Sequence, residues 1–245
     1  MKEFKKLKKF KVLVCVPHYD GKNYCFDDFL SRVTNLTYKN YDILIADNSK
    51  NRKNKKKIMK SGVQSIYVNP KQKDNRQYIA DTHEALRVAA LIGNYDFMLH
   101  LESDVFPPLD IIERLLSHQK MVVAAPYFIN FGHDSHLMVQ HIEGEGDLVR
   151  HTVNVGGGYD ILLMDGKLKK VHHAGLGCIL IHKSVLQKIN FRWMKGLDSH
   201  PDAVFAADCN AQQIPIFLDT SISNVEHRNS SWSEVTDSFD LHLSQ

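Results

Sequence analysis

Through its first 125 residues the chain alternates short, mostly apolar runs with segments whose apolar residues recur at helical spacing, a pattern that calls for a parallel sheet flanked by helices. Strands are expected at Lys11 to Val16, Tyr41 to Ala46, Ile66 to Val68, Tyr95 to Leu101 and Met121 to Ala125, with helices at Phe26 to Leu36, Arg76 to Leu91 and Leu109 to His118. Pro17 is expected to end the first strand, while Pro108 falls near the first turn of a helix, where a missing N–H does no harm.

The pattern loosens after residue 125. A hairpin is expected from Tyr159 to Met164 and Lys167 to Val171, turned at Asp165-Gly166. Strands follow at Gly175 to Ile181 and Ile216 to Leu218, and helices at Ser184 to Ile189 and Pro201 to Gln212. With 245 residues and 43% apolar content, one domain spanning 1–245 is expected: an α/β half at 1–125, a mixed half at 126–228, and a serine-rich tail or lid at 229–245.

The formal charge is only +3, but the lysines are bunched at Lys2 to Lys9 and again at Lys50 to Lys57. Such runs mark solvated or disordered surface, or an anionic partner such as nucleic acid or a membrane surface. The four cysteines lack zinc or disulfide spacing, so free thiols in a reducing compartment are expected, with the cytoplasm as the default. The apolar stretch Phe10 to Val16 is too short for a signal segment or a membrane span, and no transmembrane segment is expected.

The chemistry concentrates at Glu102-Ser103-Asp104. These residues follow directly on the apolar run Phe97 to Leu101, so both carboxylates emerge at the carboxyl end of a strand, the ligand edge of open α/β sheets. Two acids one residue apart can hold a hard divalent cation to which a diphosphate adds further oxygens, and that cation would neutralise a departing nucleoside diphosphate. The alternative is that the acids only favour the start of the next helix. Gly156-Gly157-Gly158 is no phosphate loop, lacking the Lys-Ser/Thr pair and the strand-to-helix setting, and reads as an acceptor-side loop. Trp193 beside Phe191 is open between stacking on a sugar and packing in the core.

Over nearly the whole chain these stretches resemble the GT-A glycosyltransferases of the family 2-like kind. Val12 to Pro17 resembles the strand that contacts the nucleotide base, Ile45 to Ser49 the second-strand motif, and Tyr95 to Pro108 the segment carrying the DxD acids. His173 to Ile181 resembles the acceptor-side strand, Asp202 to Phe205 the acidic start of the catalytic helix, and His227 the histidine closing the core. The resemblance implies a metal-dependent transfer of a sugar from a nucleotide-sugar, a UDP-sugar first and a GDP-sugar second, to an acceptor hydroxyl on a glycan or nucleic acid. It implies Mn2+ or Mg2+ at Glu102, Asp104 and His227, with Glu102 on the ribose or reaching the metal through water. It further implies nucleotide contacts from Pro17, Tyr19, Asp47 and Ser103, and Asp202 as the base of an inverting reaction. From the residues alone, Asp202 could equally cap its helix, His227 could be a surface histidine, and Asp47 could be a turn former.

Three departures from that pattern stand out. Ala80 to Glu84 occupies the place of an Arg-Asn pair, Glu102 that of an aspartate, and His200-Pro201-Asp202 carries one acid where two are usual. Two other functions compete. A nucleotidyltransferase shares such a sheet, although Pro17 to Lys22 makes a poor glycine-rich loop. The lysine runs also fit a nucleic-acid role, such as a viral enzyme glycosylating a modified DNA base.

Overall fold

The first apolar run forms β1 (Val12–His18), buried along nearly its whole length inside an eight-stranded sheet. The structure is a computed structural model that describes residues 10–50, 54–69, 75–130, 135–140, 142–143, 150–151, 164–195 and 200–228. The remaining strands of this sheet are β2 (Tyr41–Asp47), β3 (Gln64–Tyr67), β4 (Phe97–Leu101), β5 (Val122–Ala124), β6 (Leu168–Val171), β7 (Cys178–His182) and β8 (Ile216–Asp219). Their spatial order is β6-β8-β5-β7-β4-β1-β2-β3.

The parallel sheet expected from the alternation holds for β1 to β4. It does not continue directly to β5, because β7 inserts between β4 and β5 and runs antiparallel to both. β8 returns parallel to β5, and β6 closes the edge antiparallel to β8. The result is a mixed sheet, since an apolar run buried on both faces carries no mark of its direction.

Among the described residues, six α-helices cover the two faces: α1 (Phe26–Thr34), α2 (Asn54–Lys60), α3 (Asn75–Ile92), α4 (Ile111–Ser117), α5 (Lys183–Leu186) and α6 (Pro201–Ala211). Side chains of β1 alternate between two cores, as strand geometry requires. Val12, Val14 and Val16 share one with Phe26 and Phe29 of α1, Ile58 of α2 and Leu115 of α4. Leu13 and Cys15 share the other with Leu86 of α3, Val185 of α5 and Phe205 of α6. All four cysteines are buried and unpaired. No helix among the described residues is long and apolar enough to cross a membrane.

One local expectation is corrected. Pro17 does not end β1, whose ladder with β2 continues to the pair of His18 with Asp47. The His18 carbonyl accepts from Asn48 N on the β2 side, so Pro17, one residue earlier, turns its missing N–H toward β4. Pairing with β4 has already stopped at Cys15, and no hydrogen bond is lost. The second lysine run, expected as solvated or disordered surface, runs into α2 with its lysines on the solvent side: Asn54 and Ile58 are buried one turn apart, Lys57 pairs with Asp27 at 2.9 Å, and Lys55, Lys56 and Lys60 face solvent.

In the expected hairpin, Gly166 takes the left-handed conformation with φ of 80° and Leu168–Val171 forms β6. Its first arm before Met164 lies outside the described residues, as do Gly144 to Gly146, Gly156 to Gly158, the N-terminal lysines and residues 229–245.

Candidate active site

β4 delivers Glu102 to the rim of the sheet, and two backbone bonds then bend the chain. Glu102 N donates to Gly177 O at 3.0 Å, and Val105 N donates to Glu102 O at 3.0 Å. The turn so closed carries Ser103 and Asp104, both buried. Val105–Phe106 then pairs antiparallel with Glu226–His227, His227 opposite Val105. This short ladder brings the His227 imidazole to Asp104, with Nε2 3.0 Å from Oδ2, while Arg228 N donates to the Asp104 carbonyl at 2.7 Å.

The same Asp104 oxygen also meets the Lys22 ammonium, from a one-turn segment at Asp20–Lys22 that follows β1. Burial works to raise the Asp104 pKa, but the His227 and Lys22 contacts outweigh it and hold the carboxyl below its usual range. Lys22 mirrors this: burial works against the ammonium, and Asp104 and Glu102 hold its pKa above the ordinary lysine value. Glu102 goes the other way, pushed up first by burial and then by the Asp104 charge.

His18, which the sequence reading passed over, ties the turn to β1. Its Nδ1 shares a hydrogen bond of 2.9 Å with Ser103 Oγ, and its ring stacks on Phe26 at a centroid distance of 3.6 Å. Nε2 stands 3.1 Å from Asn23 Oδ1 and 3.2 Å from Asn54 Nδ2. Burial lowers its pKa to about 4, so the ring is neutral at physiological pH. The signal in the sequence was its place at the end of the first strand, beside residues already suspected of nucleotide contact.

A cavity of about 250 Å3 opens over this turn, lined by Pro17, Tyr19, Lys22, Glu102, Ser103 and Asp104 together with Asn48, Thr82 and His83 from the elements beyond. It adjoins a second cavity of about 640 Å3 that shares Tyr19, Asn48 and Ile79 and extends past Tyr78 to His200. Tyr19 is 48% exposed between them. Asp47 lines neither cavity; it is buried, and its Oδ1 accepts from Ser49 N at 3.1 Å. On α3, where the Arg-Asn pair is missing, Thr82 Oγ1 accepts from Asn48 Nδ2 at 3.1 Å, and His83 packs edge-on against His100 with centroids 4.5 Å apart.

Asp202 begins α6 after Pro201, and its Oδ1 accepts from Ala203 N at 2.8 Å. Its Oδ2 lies 3.5 Å from His173 Nε2. Burial pushes its pKa up, but His173, the Ala203 N–H and His200 together outweigh burial and the carboxyl ends below its usual range. Asp202 is near enough to Glu102 for its charge to raise the Glu102 pKa. Phe191 belongs to the core, stacked on Phe205 at 5.2 Å.

Of the three side chains expected to hold a metal, Asp104 and His227 meet directly, and no three His, Cys, Asp or Glu side chains converge on one point among the described residues. Asp104 Oδ1 is buried with no hydrogen bond, a state that disfavours a carboxylate unless a ligand satisfies it. A carboxylate oxygen and an imidazole nitrogen, with room for diphosphate oxygens in the cavity, fit manganese or magnesium.

No family model matches this sequence, and no curated protein matches it. Solved structures do. The chain is similar to A197 from STIV, at 15% identity with a TM-score of 0.50, covering 90% of this chain and 86% of that one. It is similar to the 1–349 fragment of S. aureus TarS in complex with UDP, at 12% identity and TM-score 0.53, over 85% of this chain and 57% of that one. It is also similar to GalNAc-T7 with UDP, GalNAc and Mn2+, at 9% identity and TM-score 0.54, over 86% and 43%. The chain thus spans less than two thirds of the latter two. Its fold is that of the GT-A glycosyltransferases, an α/β half joined to a mixed half in one sheet.

Proposed function

We propose that this GT-A-fold chain is a metal-dependent glycosyltransferase that moves a sugar, of hexose type, from a nucleotide-sugar to an acceptor hydroxyl. The observation that carries the reading is the pairing of the buried Asp104 with the partly buried His227 at the carboxyl end of β4, beside a cavity lined by Glu102, Ser103 and Pro17. The UDP bound in the TarS fragment and in GalNAc-T7, and the Mn2+ in the latter, support a UDP-sugar as donor and manganese, with magnesium second, as the ion.

In this reading Asp104 and His227 hold the divalent ion. The ion, when bound, offsets the charge that grows on the departing nucleoside diphosphate. Glu102, with a raised pKa, can donate to or accept from a ribose hydroxyl, or reach the ion through water. The larger cavity between Tyr19 and Tyr78 suits the flat base, which an aromatic ring can stack on. Asp47, buried and turned to Ser49, contributes by shaping the loop that carries Asn48. His18 and Ser103 fix the acidic turn so that Asp104 keeps one orientation.

Asp202 is the base for the acceptor. Its depressed pKa leaves it ionised but a weak proton acceptor at neutral pH, so this role requires the incoming acceptor to loosen the Asp202 contact with His173, and a single displacement assisted in this way inverts the anomeric centre. The acceptor is a glycan or nucleic acid, and the second, mixed half of the chain is where it would lie.

The test is a donor screen. UDP-, GDP- and TDP-sugars are incubated with the protein with and without Mn2+, and released nucleoside diphosphate is measured. Release that requires both a nucleotide-sugar and the ion supports the reading. Pyrophosphate formed from a nucleoside triphosphate and a sugar phosphate would instead establish nucleotidyl transfer.

A further inference from the structure

Asp104 carries two contacts on one oxygen. The Lys22 ammonium and the His227 imidazole both meet Oδ2, while Oδ1 is buried and unbonded. The two partners of this ion pair are unequal in freedom. Asp104 is 1% exposed and fixed in a turn closed by backbone bonds, whereas the Lys22 side chain is 26% exposed and stands on a short segment at the mouth of the cavity. A lysine is a compact charge on a flexible four-carbon stem, so the ammonium can leave with water or another anion to receive it, and the carboxylate cannot.

A divalent ion held by Asp104 and His227 has to contend with that ammonium, because two cations on one carboxylate repel at short range. We propose that Lys22 is the resident counter-cation of the free site, and that a divalent ion displaces it effectively only when a nucleoside diphosphate enters as well. The inference rests on the reading of Asp104 and His227 as cation ligands. The coupling follows from charge balance. An ion arriving alone expels Lys22 from its carboxylate and leaves the ammonium beside a new positive charge. An ion arriving with a diphosphate brings the anion that the displaced ammonium, already lining the cavity, can turn to.

Metal affinity in the free chain is therefore reduced by the small fraction of molecules in which Lys22 has let go. Linkage makes the effect reciprocal: whatever factor the diphosphate adds to metal binding, the metal adds to diphosphate binding. The arrangement keeps the buried carboxylate paired when no donor is present and makes the site assemble on the donor complex.

The test is a direct binding measurement. Free Mn2+ is followed by electron paramagnetic resonance in titrations of the full chain, with Mn2+ alone and with Mn2+ plus UDP, corrected for the ion that UDP binds by itself. Wild type is compared with Lys22→Gln, which removes the charge, and Lys22→Arg, which keeps it. Without UDP, Lys22→Gln is expected to bind Mn2+ about ten-fold or more tighter than wild type, and Lys22→Arg to stay near wild type. Adding UDP is expected to tighten Mn2+ binding more in wild type than in Lys22→Gln. Mn2+ binding by Lys22→Gln that is no tighter than wild type in the absence of UDP overturns the proposal. Asp104→Asn separates this from failure of the cation site: Mn2+ binding unchanged by that substitution, or missing from every variant, removes the site and the proposal together.

Discussion

His227 Nε2 stands 3.0 Å from Asp104 Oδ2 although 123 residues separate them in the chain. The pairing is made by backbone. Glu226–His227 lies antiparallel to Val105–Phe106, so the residue opposite Val105 is delivered beside the residue before it. Arg228 N, bonded to the Asp104 carbonyl, fastens the same junction from the other end. Main-chain bonds thus fix the backbones of a histidine and an acid side by side, the first requirement of a site in which both side chains hold one cation.

Replacing Asp104 by asparagine is expected to lower transfer by roughly a hundred- to a thousand-fold, the usual loss when one charge-stabilising group is taken from a transition state. His227→Gln should act in the same direction. Rates of nucleoside diphosphate release at saturating donor, with melting curves to confirm an intact fold, check both.

Stability should depend on His18 below neutrality. Its folded pKa of about 4 lies under the unfolded value near 6.5, so between those limits the unfolded chain binds more protons. Stability is then complete above about pH 6.5 and is lost as pH falls toward 4, by on the order of 3 kcal/mol for this group. Denaturation midpoints across that window should slope upward with pH, and His18→Gln should flatten the slope.

Asp202→Asn separates base from helix cap. A lost base lowers kcat by about a hundred-fold or more and leaves donor affinity unchanged. If Asp202 only holds the helix start through its bond from Ala203 N, the asparagine oxygen accepts that bond as well, and rate and stability both stay near wild type. Steady-state kinetics beside thermal unfolding of this one variant distinguish the outcomes, and the expected result is the fall in kcat.

Gly177→Ala should disturb the acidic turn from outside it. An added Cβ would lie 2.4 Å from Cζ and 2.6 Å from the hydroxyl of the buried Tyr127, whose hydroxyl accepts a hydrogen bond from Gly177 N, and Gly177 O in turn accepts from Glu102 N. A loss of about 1 to 3 kcal/mol is expected from this overpacking. In a cycle with Tyr127→Leu, which removes the obstructing hydroxyl, the double variant should be less destabilised than the sum of the singles, as read by denaturant midpoints.

Much of this fold could be read from residues alone, for identifiable reasons. β1 and β4 are predominantly apolar runs of strand length, as a doubly covered strand requires, and Glu102 to Asp104 follow β4 at the edge where ligands collect. α2 was hidden because only Asn54 and Ile58 are buried in it, and its lysines read as solvated chain. The antiparallel course of β7 was invisible because its apolar residues would be buried in either direction. His18 escaped notice because its partners, Ser103, Asn23 and Asn54, are assembled by the fold and not by spacing. The Lys22 contact with Asp104 was equally illegible, joining a turn after the first strand to one after the fourth.

The most direct examination of the account is a crystal of the protein grown or soaked with UDP and Mn2+ and measured at the manganese absorption edge. The account predicts an anomalous peak bound by Asp104 and His227, with the UDP diphosphate on the same ion and the uracil toward Tyr19. A manganese peak elsewhere, or UDP lodged away from the turn that carries Glu102 and Asp104, would contradict it.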